Sequence, residues 1–377
     1  MLLADLPTPQ VLIDHQRLLN NISRAQALAD MAGLRLRPHA KTHKSPIVAS
    51  WQIERGAVGI SCAKIGEAEV FADAGIDDIR LPYPVNPCNA KRLLALMDRA
   101  SISIIVDHLD VARGWSDAMQ RARRSLDVLV KVDVGFHRCG IDPQGDALGF
   151  LQIVAALPGL RLRGLLSHAG HSYHAASEEA LDAIAAEETG TLLRIRDRAA
   201  ASGIALDEVS VGATPTLRYS VRHKGITELR PGNYVYFDRT QVSLGAATLD
   251  DCALTILATV VSKPAADRII LDCGSKTLTN DQARGITDAA GYGAVLAGST
   301  DDLDRAREVD ETLIIERLSE EHATVRVAGG TPLQPGDRVR VLPNHSCVVS
   351  NLVDVVRLVE GETVVQTLPV AARGKIQ

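Results

Sequence analysis

The residues richest in chemistry lie in the segment Arg37-Pro38-His39-Ala40-Lys41-Thr42-His43-Lys44. The largely apolar run 33–36 reads as a short strand leading into it, and helical sequence resumes at about residues 47–53. Lys41 is therefore expected where a strand ends, with its amine held among fixed polar neighbours. Desolvation and nearby cations lower the pKa of a lysine. The deprotonated amine can then form a Schiff base with an aldehyde cofactor. On its own, such a basic string is more often a solvated loop than a site. Its weight depends on what else the chain would bring to the same place.

A second segment of this kind is Pro343-Asn344-His345-Ser346-Cys347, which follows a strand expected over residues 338–342. His345 and Cys347 are two apart, so on an extended segment both side chains project to one side. An imidazole and a thiolate suit Zn²⁺, and two protein ligands leave positions open for substrate or water. Mn²⁺ or Mg²⁺ are the alternatives. The same spacing recurs at His137-Arg138-Cys139, where the intervening arginine would repel a cation, so the C-terminal copy is preferred. His171 and His174 read as loop lining rather than as ligands.

These residues need a scaffold. Short apolar strands are expected at residues 34–39, 58–62, 79–83, 102–106, 128–134, 162–168, 209–213 and 229–233. Amphipathic helices are expected at 67–74, 89–99, 109–121, 147–156 and 178–201, with a turn or two at 218–221. An earlier strand, Val11-Leu12-Ile13, leads to an N-cap at Asp14 and a helix with Leu18, Ile22, Ala25 and Ala29 on one face. Eight strand-then-helix units predict an α/β chain closed as a (β/α)8 TIM-type barrel, with a doubly wound open sheet as the alternative. Beyond about residue 244 the pattern turns to strands at 254–261, 267–273, 311–317, 323–327, 338–342, 354–359 and 363–369. Gly274, Gly329-Gly330, Pro335-Gly336 and Glu360-Gly361 supply turns between them. The expected division is a barrel over residues 15–244, with residues 1–14 and 245–377 forming a mostly β domain that carries the metal motif.

Barrel enzymes place their chemistry at the carboxyl ends of the strands, and the unusual residues fall there. Lys41 follows the first strand; Ser61, Cys62 and Lys64 the second; Asp107 the fourth; Asp133 and Arg138 the fifth; His168 and then Tyr173 the sixth. Gly212-Ala213-Thr214 follows the seventh strand and Gly232-Asn233-Tyr234 the eighth. Barrels often bind phosphate between these last two loops through backbone N–H groups and a hydroxyl. A Schiff-base lysine after strand one and a phosphate cradle after strands seven and eight together describe pyridoxal 5′-phosphate (PLP). If Arg138 faces the pyridine nitrogen, that nitrogen must stay unprotonated, because a guanidinium only donates. The ring is then a weak electron sink, and a metal would supply the missing help. Otherwise Arg138 is an exposed loop arginine or a partner for Asp133.

Composition bounds the rest. The 377 residues allow two cores. Hydrophobic residues make up 46% and charged residues 23%, and the net charge is −5. That mild charge gives no reason to expect nucleic acid or an anionic membrane as partner. No apolar stretch approaches a membrane span. Six cysteines without a C-x-x-C pair, and no signal peptide, point to a reducing, cytoplasmic setting.

Thr8-Pro9 followed by Asp14, the Arg37-to-Lys44 segment and Pro-Asn-His-x-Cys together resemble the D-threonine aldolase and eukaryotic-type D-serine dehydratase family, fold-type III PLP enzymes related to alanine racemase. The resemblance covers nearly the whole chain. It implies a PLP barrel followed by a β domain, with Lys41 bonded to the cofactor. It further implies Arg138 on the pyridine nitrogen, Tyr173 near the ring or its phenolic oxygen, phosphate on Gly212, Ala213, Thr214, Gly232, Asn233 and Tyr234, and a divalent cation on His345 and Cys347. H-x-C at the metal resembles the dehydratases, whereas aldolases tend to H-x-D. The implied reaction is β-elimination from a D-3-hydroxy amino acid such as D-serine or 3-hydroxyaspartate, giving a 2-oxo acid and ammonia. Lys41 would take the α-proton and the cation would assist departure of the β-hydroxyl. Retro-aldol cleavage to glycine and an aldehyde is the alternative. Racemisation, which needs a second base, and a non-enzymatic PLP carrier fit less well. The resemblance also implies a homodimer.

Overall fold

The computed structural model describes residues 1–282, 284–287, 289–297 and 308–377. The chain opens with β1 (Gln10–Asp14) and α1 (His15–Met31). Asp14 caps the helix, its carboxylate accepting from Arg17 N at 2.9 Å. Leu18, Ile22, Ala25 and Ala29 form the buried face, as their spacing predicts. Eight parallel strands follow: β2 (Arg35–Leu36), β3 (Ile60–Ser61), β4 (Asp78–Pro84), β5 (Ser101–Val106), β6 (Leu126–Lys131), β7 (Leu160–Leu166), β8 (Glu208–Val211) and β9 (Glu228–Leu229). The helices after them are α2 (Pro46–Glu54), α3 (Ile65–Asp73), α4 (Ala90–Met97), α5 (Leu109–Ala122), α6 (Ala147–Ala156), α7 (Glu178–Ala201) and the one-turn α8 (Leu217–Ser220).

The ladder runs β2-β9-β8-β7-β6-β5-β4-β3. Its two ends meet through Val58 N to Leu36 O at 2.9 Å, Ser61 N to Pro38 O at 2.7 Å and Ala40 N to Ser61 O at 2.8 Å. The sheet therefore closes into a barrel. β5 and β6 are buried along nearly their whole length, because a parallel sheet wrapped by helices has no wet face.

Several strands are shorter than the sequence suggests. The eighth ends at Leu229 because Pro231 has no N–H to give the ladder. Gly232 then starts a 3₁₀ turn, so Asn233 lies in that turn and not in a strand. The first keeps extended geometry past Leu36, with Arg37 N bonded to Leu229 O and His39 N to Pro231 O, both at 2.9 Å.

After α9 (Arg239–Ser243) come β10 (Leu254–Ala265), β11 (Arg268–Leu271), α10 (Ser275–Leu278), β12 (Ala294–Leu296), β13 (Val309–Leu318), β14 (Ala323–Val327), β15 (Arg338–Leu342), α11 (Ser346–Leu352), β16 (Val355–Glu360) and β17 (Thr363–Pro369). They form a nine-stranded sheet in the order β11-β14-β13-β12-β15-β10-β1-β16-β17, with β11 also pairing back onto β10. β1 joins this sheet, antiparallel to β10 and parallel to β16. β12 escapes the sequence reading because three residues carry too little periodicity to register.

The largest departure concerns the metal motif. His345 and Cys347 are not on an extended segment. His345 is the residue before α11 and Cys347 lies in its first turn. The alternation that would put both on one side of a strand does not apply. The turn into the helix brings them together instead.

No helix among the described residues is long and apolar enough to cross a membrane.

Candidate active site

The carboxyl ends of the barrel strands and the start of α11 enclose one cavity of about 200 Å³. Lys41, Arg138, Tyr173, Thr214, His345 and Cys347 all line it. Residues far apart in sequence and carried by two different sheets thus meet at one point.

Lys41 follows β2 in a tight turn where Lys44 N bonds to Ala40 O at 2.8 Å. Burial lowers the pKa of its amine, the Cys347 thiolate opposes the shift, and the Arg138 and Arg230 guanidiniums add to it. His168 stands beyond the end of β7 with Nδ1 2.7 Å from Gly212 O. A carbonyl only accepts, so Nδ1 carries the proton and Nε2 keeps its lone pair. Burial and the positive charges of Lys41 and Lys131 hold its pKa well below the ordinary value, so the imidazole is neutral. His39 is neutral for the same reasons, burial first and Lys41 next.

The loops after β8 and β9 approach each other closely. A Cβ on Gly212 would lie 3.0 Å from Arg230 backbone, and one on Gly232 would lie 3.1 Å from His39. Thr214 Oγ1 accepts from Tyr234 N at 3.2 Å, which joins the two loops. The N–H groups of Ala213, Thr214, Gly232 and Asn233 donate to no acceptor among the described residues. A ring of free N–H groups beside a hydroxyl fits a phosphate. Together with a half-buried lysine of depressed pKa, the residues present fit PLP.

Tyr234 contributes its backbone only. Its phenol accepts from Gln52 Nε2 at 2.9 Å and faces away from this cavity. There it lines an apolar groove of about 380 Å³ on the outer wall with Leu28, Met31 and Phe237. That groove is larger, but it offers no lysine, histidine, cysteine or carboxylate, so the smaller polar cavity is the candidate site. Arg138 is exposed at the mouth, with its guanidinium 4.9 Å from the Phe136 ring centre. Tyr173 stays a neutral phenol, since burial raises its pKa.

His345 Nδ1 donates to Asp281 Oδ2 at 2.5 Å. This leaves Nε2 for the Cys347 side. Cys347 Sγ lies 3.1 Å from Thr42 Oγ1 and 3.6 Å from Asn233 Nδ2. Burial works against the imidazolium, yet hydrogen bonds to Asp281 and Cys347 push His345 up to about 10. Burial likewise opposes the thiolate, and His345 more than offsets it. Each group favours the charged form of the other, and a cation would displace the proton between them. A metal-bound histidine usually donates its far ring N–H to a carboxylate. The donor set fits a divalent cation held by two protein ligands, and no cluster of three or more histidines, cysteines and carboxylates occurs among the described residues. In the other H-x-C, His137 turns outward 3.3 Å from Asp133. His174 lines the cavity and His171 packs against Gly135.

Sequence reading missed Lys131, Arg230, Asp238, Asp281 and Arg284. Lys131 ends β6 only 3% exposed, with burial first and Arg230 second lowering it to about 7. Arg230 sits one residue past β9, donating to Ser210 Oγ at 2.7 Å. Lysine on an inward-facing strand position was a usable signal for the first. Asp238 is buried and accepts from Asn233 Nδ2 at 2.5 Å and Ser346 N at 3.0 Å, so it ties the loop after β9 to the start of α11. Nothing in the local sequence marks it.

Known proteins share this sequence and fold. Residues 13–240 match the alanine racemase N-terminal domain family, and residues 253–359 match a serine dehydratase domain. The chain is 35% identical to D-threo-3-hydroxyaspartate dehydratase of Delftia sp. (strain HT23), over 92% of each chain. It is 32% identical to D-threonine aldolase of Arthrobacter sp., over 99% of this chain and 94% of that one. The solved structure of the Delftia dehydratase superimposes with a TM-score of 0.89 at 32% identity, covering 98% of each chain. D-threonine aldolase from Filomicrobium marinum gives 0.88 at 29%, covering 99% of this chain and 97% of that one.

Proposed function

The chain belongs to the D-threonine aldolase and D-serine dehydratase family, built on a barrel of the alanine racemase N-terminal type, and from that premise we propose that it is a PLP- and divalent-metal-dependent lyase that eliminates water from D-3-hydroxy amino acids. The observation that carries this reading is the meeting of Lys41 with the His345–Cys347 pair in one cavity. One amine that can act on an α-carbon faces one donor pair suited to a cation that can act on a β-oxygen.

Lys41 is the residue to which PLP would attach. The loops of Gly212, Ala213, Thr214, Gly232 and Asn233 would hold its phosphate, and Arg138 would donate to its ring nitrogen. When bound, PLP supplies an electron sink for charge developing at the α-carbon, and the cation supplies a Lewis acid for the β-oxygen. The chain's own groups do the rest. Lys41 Nζ, with its basicity reduced by burial, accepts the α-proton. His168 holds its proton on Nδ1 against Gly212 O and presents a neutral Nε2 to the cavity. Asp281 fixes the ring of His345, and Thr42 and Asn233 steady the Cys347 sulfur.

Zn²⁺ is the cation best matched to imidazole plus thiolate. A solved cysteine-to-alanine mutant of a D-threo-3-hydroxyaspartate dehydratase is named as its metal-free form, which supports a metal in that protein. The thiolate, where the aldolases tend to have a carboxylate, favours elimination over retro-aldol cleavage. A cytoplasmic homodimer completes the reading.

The decisive experiment supplies PLP and Zn²⁺ and separates the products. D-serine should give pyruvate and ammonia, and D-threo-3-hydroxyaspartate should give oxaloacetate and ammonia. Glycine plus an aldehyde from D-threonine as the main reaction would reassign the chain to the aldolases. EDTA should abolish elimination. Activity that survives full metal removal would end the metal-assisted reading.

A further inference from the structure

We propose that Arg284 selects substrates with a second carboxylate on the hydroxyl-bearing carbon, so that the preferred substrate class is the dicarboxylic D-3-hydroxy amino acids. This rests on the lyase reading above and assigns its missing substituent.

Five of the residues lining the cavity are Lys41, Lys131, Arg138, Arg230 and Arg284, and none of the described lining residues is an aspartate or glutamate. Such a cavity is built for several negative charges at once. Four of the five cations have other work or another location. Lys41 is the reacting amine. Arg230 is 5% exposed and spends its guanidinium on Ser210 Oγ at 2.7 Å, on Ser210 O at 3.3 Å and on Ser167 O. Lys131 ends β6, and Arg138 stands in the loop beyond it against Phe136.

Arg284 comes from the opposite side, between α10 and β12. It lines the main cavity and also a small extension shared with Tyr173, Asp238, Thr240, Asp281, Gln282 and His345, where its charge helps to lower the pKa of the Asp281 carboxyl. Arg284 therefore belongs to the His345 wall of the cavity. With the β-hydroxyl directed toward His345 and Cys347, one configuration at its carbon turns the other substituent toward Arg284, and the opposite one turns it away. A hydrogen there, as in D-serine, gives Arg284 nothing to bind. A methyl, as in D-threonine, would strip water from the guanidinium without replacing it. A carboxylate matches the planar donor fork in both charge and shape.

The test compares the PLP- and Zn²⁺-loaded wild type with Arg284→Met and Arg284→Lys. The wild type should favour D-threo-3-hydroxyaspartate over D-serine in kcat/KM. Arg284→Met should raise KM for the dicarboxylic substrate by roughly 10- to 100-fold, the worth of hydrogen bonds to a charged group. Its kcat should change much less, and the D-serine constants should move by a much smaller factor. Arg284→Lys should fall between. Unchanged cofactor absorbance in both variants would show that the site still folds. A second arm needs no turnover: calorimetric titration of D-malate against D-lactate. Wild type should bind the dicarboxylate more tightly, and Arg284→Met should lose that margin. Equal binding of the two acids by wild type would overturn the proposal, as would parallel loss of both amino-acid activities in the variant. Arg284-dependent D-malate binding by an enzyme that turns over neither amino acid would uphold the carboxylate site and refute the lyase reading.

Discussion

At the scale of single residues, the site depends on two proton placements. One is on Lys41, where burial favours the free amine. Lys41→Ala should remove both the near-visible absorbance of the reconstituted enzyme and all turnover, while circular dichroism stays native. A variant that kept the absorbance would move the attachment point elsewhere. The other is on His345, where Asp281 holds Nδ1–H at 2.5 Å. Asp281→Asn keeps the shape but weakens the pull on the ring, and loss of such a partner costs about 10- to 100-fold in metal affinity. Competition with a chromophoric chelator reads this directly, and unchanged affinity would remove Asp281 from the site. Lys41, His345 and Cys347 were legible in sequence because each sits in a compact string of unusual residue types. Asp281 was not, since it lies 64 positions from His345 and nothing local distinguishes it from a turn aspartate.

At the scale of elements, the barrel floor carries the most charge. Glu228, at the start of β9, is fully buried and accepts from Arg37 Nε at 2.9 Å, Ser210 Oγ at 2.6 Å and Arg80. Arg80 also donates to Glu208 at 2.7 Å, and Arg37 to Asp78 at 2.6 Å. The alternation of the strands points these side chains into a barrel interior that apolar residues usually fill. Sequence reading took the strands from their apolar residues and passed over the alternating Arg37, Arg80, Glu228 and Arg230. Burial raises the pKa of Glu228, but Arg80 and Arg37 more than reverse this and bring it from 4.5 to about 2. A depressed folded-state pKa contributes stability above the unfolded value and loses it as pH falls through the folded value. Unfolding free energy should therefore decline between pH 4.5 and pH 2, with Glu228 contributing about 3 kcal/mol of that fall. Glu228→Gln should cost ~3–5 kcal/mol at pH 7, because it strands two buried guanidiniums. Asp73→Asn, which breaks the exposed pair with Arg99, should cost under about 1 kcal/mol. Urea titration at both pH values measures each. A Glu228→Gln loss no larger than that of Asp73→Asn would mean the arginines find other partners.

At the scale of the whole molecule, neither sheet makes the cavity alone. The barrel supplies Lys41 and the loops after β8 and β9, and the start of α11 beside the second sheet supplies His345 and Cys347. Their relative position must hold to a fraction of an ångström for one substrate to touch both. Buried polar links fix it. Asp238 joins Asn233 to Ser346, and Thr240 Oγ1 reaches Asn344 O at 2.7 Å. Lys44, three residues past Lys41, bonds Asn351 Oδ1 at 2.8 Å and Glu67 at 3.0 Å. The segment after β17 adds a strap: Ala372 N bonds Lys44 O at 3.0 Å, Gly66 N bonds Gln377 O at 3.0 Å, and Val370 and Ala372 are buried. Removing residues 374–377 should cost less than about 1.5 kcal/mol, since it gives up the hydrogen bond to Gly66, a long one from Gly374 N to Asn351 Oδ1 at 3.5 Å, and little apolar burial. Removing residues 370–377 also exposes the contacts of Val370 and frees the Lys44 carbonyl, which should cost ~2–4 kcal/mol. The longer truncation should in addition weaken PLP retention during dialysis, because it loosens the turn that carries Lys41. Equal urea midpoints for the two truncations would show that the strap plays no part in holding the sheets to one cavity.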